Sequence, residues 1–230
     1  AQGPSTSDPR TGEIIESDIV WYHNHMRSYR NWMMVQTGAA NPDARSLPIS
    51  DELMAEAMEQ VITHEIGHAI GLPHNMIASS AFPVDSLRSA DFSRRMGVAP
   101  TIMDYARQNY IAQPGDGLQP LDFLRRLGPY DHYAVNWGYR LVPGADSPDD
   151  EADTLDRWIV ERADDPMYRY LPQGGTGVSD PRAQTEDMGD DPVRASQYGM
   201  DNLRRIVPNL VAWTTRPGED YTDLAEIYGE

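Results

Sequence analysis

Residues 64–75 read His64-Glu65-Ile66-Gly67-His68-Ala69-Ile70-Gly71-Leu72-Pro73-His74-Asn75, with three imidazoles and one carboxylate in the first eleven positions. On a helix, His64 and His68 stand at i and i+4, so both rings project from one face and reach one metal ion. Gly71 can take the left-handed backbone that ends a helix, and Leu72-Pro73 cannot continue it. The chain therefore turns, and His74 returns as a third ligand. Nitrogen ligands of this kind suit zinc, and three of them leave one coordination position open, as in catalytic rather than structural zinc sites. Glu65 then sits beside the ion, where its carboxylate can take a proton from an activated water. His23, His25 and His132 have no partner of matching spacing and read as ordinary surface or hydrogen-bonded histidines.

The elements that must position these groups can be read from the pattern around them. A central helix is expected over 51–70, with Ser50 as N-cap, Asp51 and Glu52 at the positive end of its dipole, and Leu53, Ala57, Val61, Ala69 and Ile70 as its apolar face. Before it, residues 1–11 have turn chemistry around Asp8-Pro9-Arg10-Thr11-Gly12, and 13–22 reads as a strand. The spacing of Met26, Tyr29 and Met33 predicts a helix over 25–36, stopped at Gly38. After the centre, helices are expected over 85–95, 120–126, 130–137 (stopped at Gly138), 192–207 and 221–227. The acidic run 143–156 reads as a solvated surface loop, and 173–191, rich in Gly and Asp, as a long irregular loop.

Composition sets outer bounds. The 230 residues are 40% hydrophobic and 24% charged, a globular balance, and no apolar run approaches the length of a membrane span. A formal net charge of −17 argues against nucleic acid or anionic lipid as partner, since both need a basic surface, and points to a solvated acidic exterior with local calcium as a further option. Without cysteine there is neither a disulfide framework nor a thiolate metal site. The start at Ala1-Gln2-Gly3-Pro4, lacking an initiator Met or an apolar leader, reads as a piece of something longer.

The motif His64-Glu65-x-x-His68-x-x-Gly71-x-x-His74 followed by Thr101-Ile102-Met103-Asp104-Tyr105 resembles the metzincin clan of zinc metallopeptidases. The resemblance implies that Met103 forms an apolar floor beneath the zinc without binding it; simple core packing of Met103 predicts nearly the same surroundings. A tyrosine two residues after that Met, as in the astacin and serralysin branches, implies that Tyr105 donates to the developing oxyanion. The other reading of Tyr105 is a buried, internally hydrogen-bonded tyrosine. Asn75 matches none of the residues found after the third His in the best-known branches, and a structural role in fixing the turn is open to it. The runs Asp8-Pro9-Arg10-Thr11-Gly12-Glu13-Ile14, Leu127-Gly128-Pro129-Tyr130-Asp131, Trp137-Gly138-Tyr139-Arg140 and Asp180-Pro181-Arg182-Ala183 resemble a family of large bacterial zinc metalloproteases.

That resemblance implies an α+β, helix-dominated fold: a metzincin-like catalytic core over 1–142, with an active-site helix, a methionine turn and only a remnant of the N-terminal sheet, and a helical, loop-rich extension over 143–230. In the clan, an edge strand of the sheet aligns substrate by β-augmentation, and here the turn at 8–14 joins that edge strand to the last strand. The expected function is a zinc-dependent endopeptidase acting on a peptide or protein, outside the cytoplasm by resemblance, with His64, His68 and His74 on the metal, Glu65 as general base and Tyr105 assisting. The alternatives are a non-catalytic zinc-binding module or inactive fragment, and zinc-dependent hydrolysis of a non-peptide amide.

Overall fold

The computed structural model describes residues 2–172 and 180–230. Strands β1 (Ser5–Ser7) and β2 (Ile14–Ser17) pair antiparallel, and a bridge between Gln2 and Val20 prolongs the ribbon. Helices follow as α1 (His25–Thr37), α2 (Asp51–Ala69), α3 (Val84–Leu87), α4 (Ala90–Met96), α5 (Pro129–Tyr139), α6 (Pro148–Val160), α7 (Pro192–Ile206), α8 (Leu210–Thr214) and α9 (Thr222–Gly229). The architecture is the expected helix-dominated α+β type, with a single two-stranded sheet among the described residues.

Helix α2 begins where its chemistry says it should. The Ser50 hydroxyl accepts from the Leu53 amide at 3.2 Å, and Asp51 and Glu52 occupy the first turn. Its inner face (Leu53, Ala57, Met58, Val61) packs with Tyr29 and Met33 of α1, Ile49 and Leu124. The opposite side of α1 presents Met34 to Ile206, Leu210 and Ile227, so α1 lies between α2 and the α7–α9 group. A second core, built from Phe82, Val84, Leu87, Val98, Ala106, Ile111 and Met188, supports the segment that follows α2. On its outer side α2 leaves Ile62 and Ile66 exposed, at 42% and 47%.

Several expectations are corrected. Residues 1–11 contain β1, which has no apolar alternation to betray it: Ser5, Thr6 and Ser7 are all exposed, and the strand is held by the turn, where the Asp8 carbonyl accepts from Thr11 and Gly12. The strand at 13–22 is confined to Ile14–Ser17 plus the bridge at Val20. The helix at 85–95 is two helices, because Ser89 leaves helical geometry to cap α4 through the Phe92 amide. At 120–126 a single 3₁₀ turn, Pro120–Phe123, replaces a helix. Helix α5 passes through Gly138, whose site is open to solvent and needs no break. The acidic run is the start of α6: Pro148 at the first position and Asp149, Asp150 and Glu151 in the first turn are helix-start signals that outweigh the solvated-loop reading. Of the loop at 173–191, residues 173–179 lie outside the described residues, and 180–191 carry neither helix nor strand.

Candidate metal centre

The three histidines meet at the end of α2. His64 and His68 project from one face, and the helix then closes with the left-handed Gly71 (φ +89°): the Leu72 amide donates to the Gly67 carbonyl and the Gly71 amide to the His68 carbonyl, each at 2.9 Å. The reversal brings His74 back, so that its Nε2 stands 3.2 Å from Nε2 of His64 and 3.0 Å from Nε2 of His68. Nitrogens bound tetrahedrally to one zinc at ordinary bond lengths are about 3.3 Å apart. Outer contacts fix which nitrogen faces inward. Nδ1 of His64 donates to the Ile102 carbonyl at 2.7 Å and Nδ1 of His68 to the Leu72 carbonyl at 2.8 Å, leaving both Nε2 lone pairs for a cation. Among the described residues this is the one group of three or more His, Asp or Glu side chains close enough to share an ion; the acidic exterior that made calcium an option shows no such group there.

Met103 is 1% exposed, and its sulfur lies against Gly67, between His64 and His68 on α2, so closely that a Cβ on Gly67 would overlap it. Residues 46–230 match a family model described as Met-zincin. The chain belongs to the Met-zincin family. No curated protein and no solved structure matches it. Membership supports a zinc metallopeptidase-like function, and zinc as the ion that fits the donor set of this Met-zincin: three imidazoles, two of them oriented by backbone carbonyls.

Around the triad the Met-zincin places the other predicted residues. Glu65, 8% exposed, lines a pocket together with His64 and Tyr105. The Tyr105 ring lies 4.5 Å from that of His74 and 5.4 Å from that of His64, and the residue is 39% exposed, so it faces the metal side rather than being buried in the lower core. Burial first, and the Glu65 charge second, push its hydroxyl above the usual tyrosine range, which keeps it a donor at neutral pH. Asn75 is fully buried; it donates to the Arg169 carbonyl at 2.8 Å and accepts from the Leu171 amide at 3.0 Å, clamping the chain that follows His74.

Two neighbours of the site were not singled out by spacing. His25, at the start of α1, packs against Trp21, Tyr29 and Trp32 and lines the Glu65 pocket. Gly3 runs across α2 so tightly that a Cβ there would stand 2.9 Å from Glu65 Oε2 and 3.7 Å from His68 Cβ. A glycine in an extended segment signals such close approach, and that was the available clue. Gly3→Val is expected to displace the Glu65 carboxylate and lower any Glu65-dependent turnover by about 10²-fold, the cost of a misplaced catalytic group, with zinc content unchanged; activity measured beside metal analysis checks it.

Burial pushes His64 down to about 3 and His74 to about 4, so both are neutral and metal-ready at neutral pH. Desolvation likewise pushes Asp104, next to Met103, up to about 7. These groups oppose each other in the zinc-free chain. With a depressed folded value, His64 costs stability as pH falls from about 6.5 towards 3, because the unfolded chain takes the proton first. With a raised value, Asp104 adds stability as pH falls from 7 towards 3.8. Asp104→Asn leaves the histidine loss unopposed, so its urea midpoint is expected to fall more steeply than that of the unsubstituted chain between pH 7 and 4 when zinc is chelated.

Proposed function

We propose that this Met-zincin is a zinc-dependent endopeptidase in which His64, His68 and His74 hold the ion and Glu65 is the general base. The observation that carries the proposal is the convergence of three Nε2 atoms beside Glu65 and Tyr105, with no fourth ligand-type side chain in the cluster among the described residues. A zinc ion held there supplies a Lewis acid that acidifies a water and polarises a carbonyl oxygen. Glu65 accepts the proton of the attacking water and returns it to the leaving amine. The Tyr105 hydroxyl, kept protonated, donates to the oxygen on which negative charge develops. The backbone bonds to Nδ1 of His64 and His68 hold those rings in place, so their orientation is fixed before substrate arrives.

Cleavage of a quenched fluorescent protein substrate, abolished by a chelator and restored by one equivalent of zinc, is the expected result. One observation favours a second reading. The exposed Ile62 and Ile66 on α2 make an apolar surface beside the site, which suits a zinc-binding module covered by a partner. Stoichiometric zinc with no cleavage of any peptide or amide would select that reading.

A further inference from the structure

Next to Glu65 and Tyr105 the surface opens into a cavity of about 260 Å³, large enough for one side chain and too small for a length of polypeptide. Its walls include Tyr29 and Trp32, whose rings are 5.1 Å apart. Arg107 lies 4.2 Å over the Trp32 ring and is paired with Glu186, so these two charges neutralise each other at the rim. Arg125 is different. It lines the same cavity and is only 9% exposed. Its Nη1 donates to the Asp104 carbonyl at 3.0 Å and its Nη2 to the Tyr29 hydroxyl at 2.8 Å, while Nε has no partner.

Among the described residues no carboxylate forms an ion pair with this guanidinium. Asp104, whose peptide oxygen it binds, instead directs a carboxylate oxygen to the Ser79 amide at 2.7 Å. A buried cation is ordinarily paired, because leaving it uncompensated in low dielectric is costly. In a ligand pocket such a group is satisfied by the ligand, and a guanidinium suits a carboxylate best. Of the remaining walls only Glu65, the proposed general base, carries a charge, and the others are aromatic or neutral, so the cavity offers apolar sides and, in Arg125, one buried positive group with no ion pair among the described residues.

We infer that this cavity receives an acidic side chain, Asp or Glu, of the substrate residue adjoining the scissile bond, with Arg125 as the specificity-determining residue. The inference rests on the peptidase reading, and names its substrate class.

The test uses the whole zinc-loaded chain and sets of fluorogenic peptides differing only at the residues immediately before and after the cleaved bond: Glu, Gln, Asp, Asn, Leu and Phe. For one of these positions the acid is expected to be cleaved with a kcat/KM about tenfold to a hundredfold above its amide isostere, the range of a charge-assisted bond. In Arg125→Gln that acid-to-amide ratio is expected to collapse to about one. Because Arg125 also holds Tyr29 and the Asp104 peptide, a chain that keeps Arg125 supplies a second readout. Trp32 lines the cavity, so titrating the zinc-loaded Glu65→Gln variant with the uncleaved Glu and Gln peptides and following tryptophan emission should show the same preference without turnover. Cleavage with equal or inverted acid-to-amide ratios, or a preference for Leu or Phe, overturns the inference and leaves the peptidase reading intact. Absence of cleavage of every peptide overturns the peptidase reading, and equal binding of the Glu and Gln peptides then overturns the carboxylate site as well.

Discussion

Peptide hydrolysis by a Glu65→Gln variant is expected to fall by about 10²–10⁴-fold while the protein retains one zinc, the range associated with removing a positioned general base. The substitution preserves volume and packing at a residue that is 8% exposed, and removes only the basic oxygen. None of the three Nε2 atoms depends on it: His64 and His68 are oriented by the Ile102 and Leu72 carbonyls, and the chain beyond His74 is clamped by Asn75. Metal content should therefore separate from turnover. Cleavage within tenfold of the unsubstituted chain would remove Glu65 from the role proposed for it.

The largest effect on stability is expected from Asp131→Ala. Asp131 stands in the first turn of α5, 3% exposed, and its carboxylate accepts from the Thr101 hydroxyl, the Ile102 amide at 2.9 Å and the Gly128 amide at 2.8 Å. It thus caps α5 and fastens the methionine turn in one step. Alanine leaves three buried donors without an acceptor, a loss of about 3–5 kcal/mol in denaturant unfolding. The consequence reaches the metal, because Ile102, whose amide Asp131 holds, offers its carbonyl to His64 Nδ1. Zinc affinity should fall with stability. A change under about 1 kcal/mol would show that the turn is held by other contacts.

Legibility in the sequence followed the range of the interactions involved. The end of α2 was readable because everything that shapes it lies within a few residues: the i and i+4 histidines, the left-handed Gly71, and the Ser50 cap at the other end. The family match and the observed triad agree with that reading. In the sequence Asp131 is visible only as the end of the run Leu127-Gly128-Pro129-Tyr130-Asp131, because its role appears when residues 101, 102 and 128 meet in space. Gly3 and His25 were missed for the same reason: each lies about 40 residues or more from Glu65 in the chain and reaches it only by packing. Arg125, flanked by Leu124 and Arg126, looks like an ordinary surface cation until its burial and its unpartnered Nε are seen. Strand β1 was invisible because it is polar on both faces. Helix α6 was misread because acidic residues that stabilise a helix start also compose solvated loops.

Zinc K-edge X-ray absorption on the chain loaded with one equivalent of zinc tests the central claim most directly. The account predicts three imidazole nitrogens at about 2.0–2.1 Å and one exchangeable oxygen, with one imidazole lost in His74→Ala. A closed shell of four protein ligands, or an unchanged spectrum in His74→Ala, would contradict it.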